Sequence, residues 1–168
     1  MQRSGSASAV SLDTVIADYG ASLSRIARSY EATAAGREDL VQDMLLALIT
    51  ALPRFRGESA LGTFVYRVAT NVAIDRLARR PPESLDLCAI DDRPDPAPSP
   101  ESLHAAEHRR ERLIRAVRRL PLTLRQVMSL VLEGLAHGEI AAVLGITENN
   151  VAVRANRARQ QLRQWLEE

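Results

Sequence analysis

Prolines are concentrated in one acidic segment, and this segment constrains the fold more than any other feature. Six of the eight prolines lie between residues 81 and 100, and proline breaks helices because it lacks the backbone N–H. Residues 83–103 carry one arginine against six acids, a balance that resists collapse into a core. We therefore predict a disordered tail over 1–11, a helical unit over 12–80, a flexible linker over 81–103 and a second helical unit over 104–168.

Composition narrows the classes of protein further. Only 4% of the residues are aromatic, so a core must be built from Ala, Leu, Val and Ile, which favours helices over a β-sandwich. The single cysteine, Cys88, excludes a scaffold held by internal disulfides. No apolar run approaches the ~18 residues of a membrane span, and the first residues lack the apolar stretch of a signal peptide. We expect a cytoplasmic protein without membrane insertion.

Both units have helical periodicity. Apolar residues recur at three- and four-residue steps, and no long stretch alternates with period two. The first unit predicts helices over 12–30, 38–52 and from an N-cap at Ser59 to about residue 80, with a break at Gly36. The second predicts helices over 104–120, 122–133, 136–143 and 148–166. The predicted fold class is all-α, with two small helical domains joined by a Pro-rich acidic linker.

The segment from Glu139 to Val151 has the pattern of a helix-turn-helix. Ile140, Leu144 and Val151 are spaced to meet between two helices. Gly145 permits the positive φ of a tight turn, and Thr147 can cap the second helix. The C-terminal unit is therefore predicted to bind duplex DNA.

The outward face of the last helix carries the candidate base-reading residues. With Val151, Ala155, Ala158 and Leu162 turned inward, the outward residues are Asn149, Asn150, Val153, Arg154 and Arg157. Asn can pair with adenine and Arg with guanine in the major groove. The alternative is an ordinary solvated helix face. The net charge is only +1, but ten arginines against eight acids give +2 for residues 1–82, and eleven against seven give +4 for residues 104–168.

Three stretches of the first unit resemble region 2 of a bacterial sigma factor. They are Glu38-Asp-Leu-Val-Gln-Asp43, Leu52-Pro-Arg-Phe-Arg-Gly57 and Thr63 to Leu77. Leu120-Pro121, Arg125 and Glu133-Gly-Leu135, continuing to Arg157-Ala-Arg159, resemble region 4 of the same family. The order and the short linker are similar to the extracytoplasmic-function subgroup. The resemblance implies a protein that binds core RNA polymerase, directs it to promoters and helps to melt the −10 region.

The resemblance also implies residue roles and partners. Asp39, Gln42 and Asp43 share one helix face and would bind polymerase, although acids at a helix N-terminus also complement the helix dipole. Capture of an unpaired base needs stacking and a shaped pocket. The candidates for reading and melting the −10 element are Phe64, Tyr66, Arg67, Thr70, Asn71, Asp75 and Arg76. The implied partners are core polymerase, promoter DNA and an anti-sigma factor, with no cofactor, no metal and no catalysis by the chain itself.

Two other interpretations remain open. A helix-turn-helix regulator could bind DNA without polymerase, but it would not need the acidic face or the 55–77 stretch. His104-Ala-Ala-Glu-His108 matches the H-x-x-E-H string of inverted zinc peptidases, and Cys88 could join these histidines in a regulatory metal site. A solvated helix start explains the string more simply, because no third ligand or shaped cleft accompanies it. The sequence Asn149-Asn-Val-Ala-Val153 also departs from the Lys- and hydroxyl-containing pattern of many family members, so their −35 preference cannot be transferred.

Overall fold

The computed structural model describes residues 10–79 and 101–167, with side chains from residue 105 onward in the second range. These residues form helices and loops without a strand, so the predicted all-α class is confirmed. The helices are α1 (Leu12–Tyr30), α2 (Ala34–Ala51), α3 (Leu61–Ala78), α4 (Glu101–Arg119), α5 (Leu122–Leu132), α6 (His137–Leu144) and α7 (Glu148–Glu167), with a 3-10 turn at Leu52–Arg54. Residues 1–9 of the predicted tail, residues 80–100 with Cys88, and the side chain of His104 lie outside the described residues.

Side-chain caps fix the starts of the first two helices. The Ser11 hydroxyl accepts a hydrogen bond from the Thr14 amide at 3.2 Å, and α1 has the predicted bounds. The expected start of α2 at Glu38 is wrong, because the Thr33 hydroxyl accepts from the Gly36 amide at 3.1 Å and starts the helix at Ala34. Gly36 therefore lies in the first turn of α2 and does not break the chain.

Two further boundaries differ from the prediction. Ser59 is not the N-cap of α3, since Ala60 occupies that position without a side-chain hydrogen bond. The helix α4 begins at Glu101 and not at His104, so the last three residues of the predicted 81–103 linker are helical.

The first unit is a three-helix arrangement around aliphatic side chains. Leu23 and Ile26 of α1, Leu40 and Leu48 of α2 and Val65 of α3 are fully buried. Each such side chain stabilises the fold by about 1.5–3 kcal/mol through removal from water. This shared core fixes the positions of α1, α2 and α3 relative to one another, and with them the residues on their exposed faces.

The second unit builds its core from α4 to α7. Val127, Leu130, Ile140 and Val151 join the main cluster. A second cluster forms where α4 and α5 meet α7, through Val117, Leu120, Leu124, Met128 and Leu162. The guanidinium of Arg119 lies 4.7 Å above the Trp165 ring at the edge of this contact.

The two helical units pack directly on each other. One apolar cluster runs from Ala69 and Ala73 of α3 to Ile140 and Val143 of α6. Helix α1 also contacts α4 and α5. The sequence predicted two units but not this contact between them.

Candidate functional site

The helix-turn-helix has the geometry that its sequence predicts. Gly145 has φ +67° between α6 and α7, and the next amide, that of Ile146, donates to the Ala141 carbonyl at 3.2 Å. The Thr147 hydroxyl accepts from the Asn150 amide at 3.2 Å and caps α7. Ile140 and Val151 are buried between the two helices. The predicted roles of Gly145 and Thr147 in the turn are confirmed.

Helix α7 presents the predicted outward residues. Its inward residues Val151, Ala155, Ala158 and Leu162 are buried, as predicted. Of the candidate base-reading residues, Asn149, Val153 and Arg157 are exposed, and Asn150 and Arg154 are partly buried. The five side chains therefore lie along one accessible side of a rigid helix, with amide and guanidinium groups available as donors.

An arginine of α3 lies against the acidic face of α2, although the sequence predicts that this arginine contacts DNA. Arg76 of α3 donates from Nη1 to Asp43 Oδ2 at 2.8 Å and lies 3.5 Å from Asp39 Oδ2. Its Nε also donates to Glu31 Oε1 at 2.9 Å. Gln42 is exposed beside the pair of aspartates. The structure thus brings the three predicted polymerase residues together and places Arg76 with them, whereas the sequence grouped Arg76 with the DNA-reading residues.

The Arg76 contacts are unequal in strength. The side chain of Glu31 is only 3% exposed, whereas Asp39 and Asp43 face solvent. Burial acts to lower the pKa of Arg76, but the hydrogen bonds and charges of Glu31 and Asp43 outweigh it, and the pKa is raised above its ordinary value. The guanidinium is therefore charged and anchored on Glu31, with the two aspartates held at its outer edge.

An apolar patch on α2 was not predicted. Leu46 and Ile49 are 62% and 47% exposed, four and seven residues after Gln42 on the same face. Beside them, a groove is lined by Ala47, Thr50, Ala51, Arg54 and Phe64. Ile49 does not belong to the buried side of α2, which is formed by Leu40, Met44 and Leu48. The four- and three-residue steps from Gln42 to Leu46 and Ile49 could have predicted that these apolar residues share the exposed face of Gln42.

The two aromatic candidates on α3 have different surroundings. Phe64 packs against Phe55 with ring centroids 4.9 Å apart. Tyr66 meets Tyr19 edge to face at 5.9 Å, and its hydroxyl lies 3.3 Å from Ser22 Oγ. Both side chains are half-buried. Phe64 borders an open groove with three arginines in its lining. The other lining residues are Pro53, Arg54, Phe55, Arg56, Glu58, Ser59 and Arg67.

The polar residues of α3 fall into two groups. Asn71 and Asp75 are exposed. Thr70 is only 2% exposed and its hydroxyl has no hydrogen-bond partner, while Arg67 donates to backbone carbonyls of α6. The structure therefore leaves Asn71 and Asp75 accessible, bonds Arg67 to the second unit and buries Thr70.

The histidine string does not form a metal site in the described part of the chain. Among the described residues, no three His, Cys, Asp or Glu side chains are grouped so as to hold a metal ion. Glu107 and His108 are exposed on the first turns of α4. Nor is any described helix long and apolar enough to cross a membrane.

Two family models match the chain in the order of its two helical units. The model described as Sigma-70 region 2 matches residues 15–81, and the model described as Sigma-70 region 4 matches residues 110–162. Together they cover α1 to α3 and most of α4 to α7. These matches define the class as that of the sigma-70 initiation factors.

Related sequences give the group within that class. The chain is 36% identical over 133 residues to the ECF RNA polymerase sigma-E factor of Escherichia coli (strain K12), covering 73% of this chain and 69% of that protein. It is 31% identical over 140 residues to the RNA polymerase sigma-H factor of Pseudomonas aeruginosa, with the same coverage. The chain belongs to the extracytoplasmic-function (ECF) group of the sigma-70 family. It is a sigma factor, which directs core RNA polymerase to promoters for initiation, and the stand-alone regulator is not favoured.

Solved structures share the fold. The structure of CnrH in complex with the cytosolic domain of CnrY has a TM-score of 0.69 at 25% identity, covering 93% of this chain and 87% of that one. The sigma factor RpoE in complex with the anti-sigma factor NepR from Bartonella quintana has a TM-score of 0.70 at 20% identity, covering 92% and 96%. The latter likeness concerns the fold alone.

Proposed function

We propose that three surfaces divide the work of this sigma factor. The face of α2 binds core polymerase, α3 reads and opens the −10 element, and α7 reads the −35 duplex. The polymerase face comprises Asp39, Gln42 and Asp43, extended by Leu46 and Ile49. The −10 surface comprises Phe64, Tyr66, Arg67, Thr70, Asn71 and Asp75, and the −35 surface comprises Asn149, Asn150, Val153, Arg154 and Arg157.

The observation that carries the proposal is the mixed character of the α2 face. Exposed Leu46 and Ile49 lie beside the Asp39 and Asp43 carboxylates on one helix. An apolar centre with a charged rim is the usual anatomy of a protein–protein interface. The face therefore suits a partner helix that presents aliphatic side chains next to basic ones. Arg76, anchored on Glu31, belongs to this face as a support for the aspartates and not to the DNA surface.

The DNA surfaces differ in the form of DNA that they suit. Asn and Arg donors on α7 stand on one side of a helix that a major groove can admit. The open groove beside Phe64, with Arg54 and Arg56 at its wall, combines an aromatic face with cations. Single-stranded bases bind such combinations by stacking and charge. Asn71 is exposed close by on α3 and offers an amide to an extruded base.

The remaining proposals concern partners and location. We infer an anti-sigma factor as a cellular partner, since a solved neighbour of this fold is held by one. The chain acts by binding alone, without a cofactor or metal, because the polymerase carries out the chemistry of RNA synthesis. Its place of work is the cytoplasm, where core polymerase and promoter DNA are found.

The α2 proposal is tested by affinity for core polymerase. Asp39→Asn with Asp43→Asn removes both charges while keeping side-chain volume beside Arg76. We expect a loss of about tenfold in affinity, since charge pairs at an interface contribute about 1.4 kcal/mol or more. Leu46→Ala should weaken binding similarly. The matched control is Asp13→Asn with Asp18→Asn, two exposed acids of α1. Equal affinities for all variants would contradict the proposal.

The DNA proposals are tested on a promoter selected from a random duplex library by the reconstituted holoenzyme. Arg157→Ala should weaken the free energy of binding to the −35 duplex by about 1–3 kcal/mol if the guanidinium pairs with guanine. Arg163→Ala, farther along α7, should have a smaller effect. Asn71→Ala should preserve the closed complex and reduce strand opening, measured by permanganate reactivity. Normal opening of a fully paired promoter by Asn71→Ala would overturn the assignment of α3.

A further inference from the structure

An exposed valine lies in the middle of the outward side of α7. Val153 is 42% exposed, and in the part of the chain that the structure describes it is the only large apolar side chain of α7 exposed to this extent. Asn149, four residues earlier, and Asn156 and Arg157, three and four residues later, are exposed on the same side. An apolar side chain is therefore surrounded by amide and guanidinium groups on a face that otherwise offers hydrogen bonds.

The residues around this valine fix its position. Val151 and Ala155, two residues to either side of it, are fully buried against the rest of the second unit. The positive φ of Gly145 and the Thr147 cap fix the start of α7. In a helix, a valine side chain adopts almost entirely one χ1 rotamer. The two methyl groups therefore point in one direction, and contact with a ligand costs them little rotamer entropy.

The chemistry of valine limits what this side chain can recognise on a base edge. It has no donor or acceptor, so against adenine, guanine or cytosine it would cover polar atoms of the major groove without bonding them, which is unfavourable. Thymine alone presents an apolar group there, the C5 methyl. Contact between the Val153 methyls and a thymine methyl removes apolar surface of both from water. The side chain therefore favours thymine over the other three bases.

We propose that Val153 selects a thymine in the −35 element through the C5 methyl group of that base. The inference rests on the proposed function of α7 as the reader of the −35 duplex. Four residues of helix rise about 6 Å, a little under two base-pair steps of about 3.4 Å each. The selected thymine therefore lies between the positions that Asn149 and Arg157 read, within about two base pairs of each.

The test compares thymine with uracil, which lacks only the C5 methyl group. The reconstituted holoenzyme first selects a promoter from a random duplex library, and each thymine of the −35 element is then replaced singly by uracil. At one position we expect about fourfold weaker binding in the closed complex, the equivalent of one buried methyl-sized group. At the same position, 5-methylcytosine should bind more tightly than cytosine by a similar factor, because it restores the methyl group on another base.

Variants of the valine connect this preference to its side chain. Val153→Ala should bind thymine and uracil equally at the sensitive position and leave the ratios at every other thymine unchanged. Val153→Ile keeps a β-branched apolar side chain and should retain the preference. Alanine has the higher helix propensity, so α7 should remain folded in the alanine variant, which circular dichroism checks. The matched control is Gln160→Ala, exposed two turns farther along the same side of α7, which should leave the thymine-to-uracil ratio at the sensitive position unchanged.

The outcomes separate this inference from the function of α7 on which it rests. A selected −35 element without thymine, or thymine-to-uracil ratios that Val153→Ala leaves unchanged at every position, would overturn thymine selection, as would an equal loss of the preference in Gln160→Ala. Val153 would then be an ordinary exposed apolar side chain. If Arg157→Ala weakens −35 binding in the same experiment, α7 still reads the duplex and only thymine selection fails. If neither Arg157→Ala, Val153→Ala nor any base change in the element alters binding, the proposed function of α7 and thymine selection are both wrong.

Discussion

Replacement of Arg76 by alanine tests whether this residue supports the fold or contacts DNA. The change removes the guanidinium that lies 2.9 Å from the carboxylate of Glu31, whose side chain is 3% exposed. Breaking a buried ion pair by removing one partner costs about 3–5 kcal/mol. Arg76 is itself 27% exposed, so water replaces part of the lost interaction, and we expect about 2–3 kcal/mol of destabilisation. The exposed aspartates add less than about 1 kcal/mol.

The assay is urea unfolding followed by circular dichroism, arranged as a double-mutant cycle. Glu31→Gln removes the buried charge while keeping an acceptor for Arg76. In that background Arg76→Ala should cost much less, with a coupling energy above about 1 kcal/mol. Arg79→Ala, exposed at the end of α3, is the matched control and should stay within about 0.5 kcal/mol of the unaltered chain.

Two results would refute this reasoning. Equal costs of Arg76→Ala in the two backgrounds would mean that packing, and not charge, accounts for the effect. An unchanged unfolding free energy, together with a shallower salt dependence of promoter binding, would instead place Arg76 at a phosphate.

Three other changes have expected outcomes. Gly145→Ala should destabilise the helix-turn-helix by about 1 kcal/mol in urea unfolding, because φ is +67° there and no atom crowds the added Cβ; no loss would mean that the turn relaxes freely. Leu48→Ala should cost about 2–5 kcal/mol as a cavity in the first unit, and a cost below 1 kcal/mol would contradict the fully buried position. Burial raises the pKa of Tyr30 above its ordinary 10.0, outweighing the opposing effects of Ser129 and Arg125. The unfolded chain therefore loses this proton first, and stability falls as pH rises above about 10; Tyr30→Phe should reduce the difference in unfolding free energy between pH 9 and pH 11, and an unchanged difference would contradict this.

Features that depend on a few neighbouring residues could be predicted from the sequence. Gly145, Thr147 and the inward residues of α7 were predictable because a positive φ, a cap hydroxyl and a helical period are each contained within a few residues. A glycine such as Gly36 favours a break, so the sequence predicts a late start for α2, although Thr33 three residues earlier is a standard N-cap. Caps in the first turn outweigh the low helix propensity of a single glycine.

Contacts between residues that lie far apart along the chain could not be predicted from the sequence. Arg76 was grouped with DNA-reading residues because it follows Asn71 on the same helix, but its strongest partner, Glu31, is 45 residues earlier. Arg67 meets carbonyls of α6 some 75 residues later. Neither pairing leaves a mark in the spacing of residues along one helix, since both depend on how helices cross after the core has formed. The order of the two units was predictable, but their contact was not.

These contacts show that many arginines of the chain stabilise the fold, so the arginine content alone does not measure the charge available to DNA. All of its basic residues are arginine, and balances of +2 and +4 in the two units suggested cations available to phosphates. In the structure, Arg25, Arg67 and Arg76 each join two or more acceptors from other elements, and Arg125 donates to the carbonyls of Arg118 and Leu120. A planar guanidinium with five donors can bridge carboxylates and backbone carbonyls in this way, whereas a lysine ammonium acts as a single point charge. Several arginines therefore hold helices and units together, so the net charge of each unit overstates the positive charge that it offers to phosphates. Arg54 and Arg56 beside the Phe64 groove and Arg157 on α7 remain exposed.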